Sequence, residues 1–260
     1  MPDSRPPLSA ILITQDAAAQ LPACLDSLAF CDEIIVVDSG SRDATVALAQ
    51  SRGARVMHAE WRGFGLQKQF AVAQAAHDWV LCIDADERVS ERLQKEVLRA
   101  LATGNAQTYR FARCNRFLGR YLRHGEGYPD WSLRLFDRRH AHWSDDAVHE
   151  KILTDNATPP TTLTGDLLHD SAETLDAYLA KQNRYTTLAA EQAVAQGKHS
   201  SFVQMLLSPW LRFIKFYFLR LGFLDGLPGL VHILIGCSNS FIKHAKIRDI
   251  QNRQYPLDNP

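Results

Sequence analysis

Short apolar runs alternate with amphipathic stretches through the first hundred residues of the chain. Leu8–Thr14 (LSAILIT), Glu33–Asp38 (EIIVVD), Arg55–His58 and His77–Ile83 are β-prone and apolar enough for strands of a sheet buried on both faces. Between them, Ala18–Ala29 carries Leu21, Leu25 and Leu28 at helical spacing, and a second helix is predicted from Asp43 to Ser51, with Gly53 placed to end it. Gly65–Ala76 (GLQKQFAVAQAA) reads as a third helix. Strands and helices alternating over short connections predict βαβ units, and hence a mainly parallel sheet with helices on both faces. Ligands of such sheets sit beyond the carboxyl ends of the strands. Thr14, Asp38 and Asp84 all fall at predicted carboxyl ends.

From about Asn105 the alternation stops. Thr108–Cys114 and Trp131–Phe136 predict strands joined by a glycine- and aromatic-rich loop, and Gly165–His169 predicts another strand. A long helix follows over Thr174–Gln196, capped by Gly197. The tail changes character. Val203–Leu224 is rich in aromatic and aliphatic residues, and at 100° per residue its Arg212, Lys215 and Arg220 share an arc of roughly 140°. Leu227–Cys237 is too short an apolar run to span a bilayer, and arginine within the first segment argues against a clean transmembrane helix. A helical pair lying on a membrane surface is the expectation. Residues 201–250 hold six basic residues against two acidic ones, which suits anionic headgroups. The alternative is a helical pair folded onto the preceding domain or onto a partner chain, giving a homo-oligomer. The expected division is therefore an α/β domain over 1–200 and a helical appendage over 201–260.

A chain of 260 residues, 46% of them hydrophobic, can bury a substantial core. Lysine plus arginine equals aspartate plus glutamate, at 29 each, so no global field points to nucleic acid. The amino-terminal residues lack the apolar region of a secretory signal, and the five cysteines form no C-x-x-C pair. Free thiols in a reducing cytoplasm are the expectation. The chemistry concentrates in VLCIDADERV, where Asp84, Asp86 and Glu87 follow an apolar strand. Like charges this close repel unless a cation or donors compensate them. The stretch is either a solvated strand-to-loop transition or a divalent-metal site, and Glu87 is either part of it or a solvated neighbour.

IIVVDSGSRDAT (Ile34–Thr45) resembles the nucleotide-binding strand and turn of family 2 glycosyltransferases, which have a GT-A fold. ILITQDAAAQLPACLDSL resembles the family's first strand and helix, and IDADE stands where the family has its Asp-x-Asp metal motif. LQKQFAVAQAAHDWVLCIDADERV, RLF, VHEK and LLHD…YLAKQNRYT extend the resemblance, which is closest to bacterial lipopolysaccharide core-biosynthesis glucosyltransferases. Two positions depart from the pattern: Asp16 replaces the usual asparagine, and Ser39 a frequent second aspartate.

The resemblance implies an inverting transferase that moves a hexose from a UDP-sugar to a lipid-linked saccharide at the cytoplasmic face of the inner membrane. Transfer to polyprenyl phosphate and a non-catalytic nucleotide-sugar binder are the alternatives. It implies a divalent cation, Mg²⁺ or Mn²⁺, held by Asp86 directly, by Asp84 directly or through water or the ribose, and by a late histidine, His169. A hard cation on a diphosphate takes only one or two protein carboxylates, which suits Asp-x-Asp. Asp38, with Thr14 and Asp16 nearby, would meet the uracil or ribose, or Asp38 would simply cap its turn. Lys68 stands where the family has a basic residue near the donor. An inverting reaction needs a general base. Glu150 matches the family's acidic position and Asp130 is the alternative, with Asp145 and Asp146 a weaker pair. Tyr128 and Trp131 would stack on the acceptor sugar, or Trp131 would pack in the core.

Overall fold

The computed structural model describes residues 5–146, 150–155, 158–171 and 174–254. The chain divides into two compact units, Met1–Cys114 with Asp130–Ser171, and Asn115–Pro129 with Ala172–Pro260. The helix over 175–195 groups with the carboxyl-terminal helices, and a segment of the aromatic loop joins them.

In the first unit, β1 (Leu8–Thr14), α1 (Leu21–Ser27), β2 (Glu33–Asp38), α2 (Thr45–Ser51), β3 (Arg55–His58), α3 (Phe64–Ala73) and β4 (Trp79–Cys82) follow in the predicted alternation. There follow β5 (Glu87–Val89), α4 (Glu91–Thr103), β6 (Thr108–Phe117), β8 (Asp130–Asp137), β9 (Ala141–Trp143), β10 (Ile152–Thr154) and β11 (Thr161–His169); β7 (Arg120–Tyr121), between β6 and β8 in the chain, falls in the second unit. The sheet order is β3-β2-β1-β4-β8-β6-β11-β5. The first four strands are parallel, as expected; antiparallel pairing begins where β8 joins β4. Period-2 alternation divides the core. Leu8, Ala10, Leu12, Val36 and Leu81 pack with Leu25, Leu93 and Val97 on one face. Ile11, Ile35, Val37, Val80 and Cys82 pack with Ala71, Val72 and Trp143 on the other.

The sequence reading did not anticipate α4 or β5. Ser90 caps α4 by accepting from Leu93 N, and Leu93, Val97, Ala100 and Leu101 are its buried stripe. That signal was present, but it stood in the shadow of the carboxylate cluster just before it.

The second unit is mainly helical: α5 (Leu175–Ala195), α6 (Phe202–Phe213), a π-helical turn (Ile214–Leu219), a 3₁₀ turn (Gly222–Asp225) and α7 (Gly226–Gln254). Buried Asp225 accepts from the backbone N–H groups of Arg123 and His124 and so ties the loop over 115–129 to the start of α7. The π turn breaks the 100° phase on which the expected basic arc rested. Arg212 pairs instead with Glu126, and Arg220 donates to the Tyr128 carbonyl at 3.0 Å, so both serve the unit's own packing. No residue of α6 is fully buried, and Trp210 remains 68% exposed. Among the described residues no single helix is long and apolar enough to cross a membrane, and Phe202–Leu219 and Gly222–Arg253 meet at a bend of 74°. All five cysteines are free thiols.

Candidate active site

A cavity of about 470 Å³ opens at the carboxyl ends of β1 and β4, within the usual size of a small-molecule pocket. Thr14, Asp16, Asp84, Asp86 and His169 line it, so five of the predicted residues meet there. The sheet itself explains the meeting. Strand β11 runs antiparallel to β5, pairing His169 with Glu87, and Asp170 N–H donates to the Asp86 carbonyl at 2.9 Å. His169 Nε2 thus comes within 3.2 Å of Asp86 Oδ2. A carboxylate oxygen and an imidazole nitrogen side by side, with Asp84 on the same wall, are suitable donors for Mg²⁺ or Mn²⁺. Among the described residues no three His, Cys, Asp or Glu side chains are grouped closely enough to hold a metal ion by themselves.

Asp84 is held by two cations. Lys68 Nζ lies 3.0 Å from Oδ1 and Arg134 Nη2 2.8 Å from Oδ2. Burial opposes its ionisation, but Arg134 and Lys68 outweigh that and hold its carboxyl well below the ordinary range. Lys68 reaches onward to Glu150 at 2.9 Å. Arg134 reaches onward to Glu87 at 3.4 Å, Glu87 faces Arg113 at 3.7 Å, and Arg113 grips Asp130 at 2.8 Å. Seven charges alternate in one unbroken chain: Glu150, Lys68, Asp84, Arg134, Glu87, Arg113, Asp130. Both candidates for the base are its ends. The flat face of Trp143 lies under Lys68 (4.8 Å) and Arg134 (5.7 Å), excluding water from the middle of the chain.

Three expectations need correction or sharpening. Glu87 is not a solvated neighbour: it is 0% exposed, and its Oε2 accepts Asp84 N–H at 2.9 Å. Burial pushes its carboxyl up, Arg134 draws it down, and the Asp84 charge pushes it up again. Asp38 does not face the cavity. Its two oxygens accept from the Gly40 and Ser41 amides (3.0 and 2.9 Å), the Thr14 hydroxyl (3.1 Å) and the Ser41 hydroxyl, which fills its lone pairs. It caps the turn after β2. Thr14, paired with it in the sheet, is correspondingly tied to that turn although it lines the cavity. Asp16 keeps to the cavity wall in a left-handed conformation (φ 51°), and its carboxylate fixes Arg42 N–H at 2.7 Å.

Trp131 is not a core residue: it is 45% exposed, with the Arg110 guanidinium 5.2 Å from its ring centre. Tyr128 is half-buried and belongs to the other unit. Asp145 and Asp146 are exposed, the latter accepting from the Ser144 hydroxyl. Val148 and His149 of the VHEK motif lie outside the described residues. Two features were missed. Trp61 and Phe64, in edge-to-face contact at 4.8 Å, form an exposed aromatic rim of the cavity. Arg134 is the hub of the charge chain, and its only sequence signal was a lone arginine inside the apolar strand SLRLF.

The sequence profile described as glycosyl transferase family 2 matches residues 9–154. A lipopolysaccharide core biosynthesis glycosyltransferase, LpsC, of Rhizobium meliloti is 35% identical over 93% of this chain and 92% of its own. The chain belongs to glycosyl transferase family 2. An uncharacterized glycosyltransferase of Rickettsia bellii is 30% identical to this family 2 enzyme, over 94% of this chain and 86% of its own. Among solved structures, it is similar to glucosyl-3-phosphoglycerate synthase from Mycobacterium tuberculosis in complex with Mn²⁺ and UDP-glucose (28% identity, 43% of this chain and 44% of that one, TM-score 0.35). It is also similar to Staphylococcus aureus TarS in complex with UDP-GlcNAc (14% identity, 95% and 92% covered, TM-score 0.47). The α/β architecture is the GT-A fold of the family, with a parallel half that carries the cavity.

Proposed function

We propose that this family 2 glycosyltransferase moves a hexose, glucose in our reading, from a UDP-sugar to a lipid-linked saccharide of the lipopolysaccharide inner-core type, with inversion. The observation that carries the reading is the meeting of Asp84, Asp86 and His169 on one cavity wall at the carboxyl end of the parallel sheet. The name of the Rhizobium relative supplies the acceptor class.

In this reading Asp86 and His169 hold the divalent cation and Asp84 meets it through water or meets the ribose. A bound Mg²⁺ or Mn²⁺ neutralises the diphosphate that leaves. Thr14 and Asp16 bound the nucleoside end of the cavity, and Asp38 acts through the turn it caps. Lys68 and Arg134 keep Asp84 ionised and aimed. The acceptor hydroxyl attacks the anomeric carbon from the face opposite the leaving UDP; its proton passes to a carboxylate, Glu150 in our assignment, with Asp130 the alternative. Trp131, an exposed aromatic face, is assigned to the acceptor sugar.

The exposed apolar residues of α6 support peripheral attachment to the cytoplasmic face of the inner membrane, close to a lipid-linked acceptor. The test is transfer from UDP-glucose to purified inner-core acceptor with and without Mn²⁺, the product's anomeric configuration being read by NMR. A product of retained configuration, or equal turnover in EDTA, refutes the mechanism. Turnover with another nucleotide-sugar refutes only the donor.

A further inference from the structure

The second unit carries a cavity of its own, about 650 Å³, where the end of α5, the start of α6 and the middle of α7 meet. Lys198, His199, Lys243 and His244 line it together with Gln192 and Gln196, and no acidic side chain does. A nearby lysine shows what structural use looks like: Lys246 Nζ is consumed by the Asn183 carbonyl and side chain and by the Thr186 and Thr187 hydroxyls. Neither Lys198 nor Lys243 has an ion-pair partner among the described residues.

Both histidines are oriented. Gln251 Nε2 donates to the Lys198 carbonyl at 3.0 Å and lies 2.9 Å from His199 Nδ1. His244 Nδ1 lies 2.9 Å from the buried Ser200 hydroxyl. Burial and then the Lys243 charge hold His244 below the ordinary histidine range. Two ammonium groups, two imidazoles and three side-chain amides around one concavity suit a group with several anionic oxygens.

The surroundings identify which one. Gln204, on the first turn of α6, also lines the cavity, and the exposed apolar run of α6 begins in that same turn with Phe202 (59%) and Val203 (60%) and continues through Leu206 and Leu207. A phosphate on apolar tails would satisfy both surfaces at once; a free phosphate would satisfy only one. We propose that this cavity binds the phosphate of an anionic membrane phospholipid, with α6 lying in the bilayer surface beside it. The inference rests on the membrane attachment proposed above and adds to it a specific headgroup site.

The test is co-sedimentation of the full-length protein with phosphatidylcholine vesicles, with and without phosphatidylglycerol. Wild-type protein should bind the phosphatidylglycerol vesicles in preference, and Lys198→Gln with Lys243→Gln should weaken that binding by about thirty-fold. A loss from charge alone is separated by two controls. Arg248→Gln with Arg253→Gln removes the same charge elsewhere on α7 and should weaken binding less. His199→Ala with His244→Ala changes no lysine and should still erase most of the preference for phosphatidylglycerol. Histidine variants that bind like wild type overturn the site in favour of diffuse electrostatics, while leaving membrane attachment standing. Wild-type protein that sediments with neither vesicle overturns the attachment and the site together. Calorimetry with inorganic phosphate completes the test: phosphate binding that Lys198→Gln with Lys243→Gln abolishes, in a protein whose vesicle binding the same changes leave intact, overturns the lipid in favour of a free anion.

Discussion

Arg134 places one guanidinium nitrogen 2.8 Å from Asp84 and 3.4 Å from Glu87, so a single arginine neutralises a carboxylate of the cavity and a fully buried carboxylate behind it. Neither acid would be tolerated there alone. Removing one partner of a buried pair leaves an uncompensated charge, which destabilises by about 3–5 kcal/mol. Arg134→Met is expected to lower unfolding free energy by that order in urea titration, with Arg134→Lys intermediate, because lysine keeps the charge but its compact, strongly hydrated ammonium on a shorter reach replaces the planar guanidinium. A change below about 1 kcal/mol would mean that Lys68 and Arg113 suffice to hold the chain of charges.

Asp86 and His169 meet through the pairing of β5 with β11. Asp86→Ala is expected to leave the fold intact and to abolish the Mn²⁺-dependent part of UDP binding, read by calorimetry with and without the metal. His169→Ala should weaken the same part without removing it. Wild-type affinity that ignores Mn²⁺ would sink the metal assignment for both.

Glu150 and Asp130 end the same chain of charges, yet only one can take the acceptor's proton. Glu150→Gln is expected to reduce kcat by about 10²–10⁴-fold while sparing donor affinity, since the amide keeps the shape but not the basicity. Asp130→Asn should chiefly raise the acceptor KM. The reverse pattern exchanges their roles. Unchanged kcat in both places the base elsewhere.

Asp38 lies below its ordinary value because, although burial opposes ionisation, the Ser41 hydroxyl, the Ser41 and Gly40 amides and the Thr14 hydroxyl favour the charged form. A depressed folded value means that its stabilisation is complete above the unfolded pKa and is lost as pH falls through the folded one. Asp38→Asn should therefore be less stable than wild type at neutral pH, and the gap should narrow as the medium becomes acidic. Parallel melting curves across that range check it; a constant gap would assign the effect to lost packing alone.

Much of this protein is written in local pattern. The parallel half of the sheet follows from period-2 apolar runs alternating with amphipathic helices, and the carboxylates at strand ends follow from the same pattern. What local pattern carries is which residues become strand and where each strand stops, since those depend on near neighbours in the chain. The partners are another matter. Nothing near Asp84 in sequence announces Arg134, and nothing near Asp86 announces His169, because antiparallel pairing across the sheet chooses them. Glu87 stood open between a member of the acidic cluster and a solvated neighbour; the fold buries it, and burial is a property of layers rather than of segments. Asp38 stood open between a donor ligand and a turn cap, and the fold turns its oxygens to Gly40, Ser41 and, from the neighbouring strand, Thr14. The tail is the clearest case: its apolar and basic residues were visible, but a π turn rotated the helix phase and spent Arg212 and Arg220 on Glu126 and a carbonyl. Sequence set the elements and the chemistry available; tertiary structure decided which charges face each other, because Coulomb and hydrogen-bond energies act through distances that only the folded chain creates.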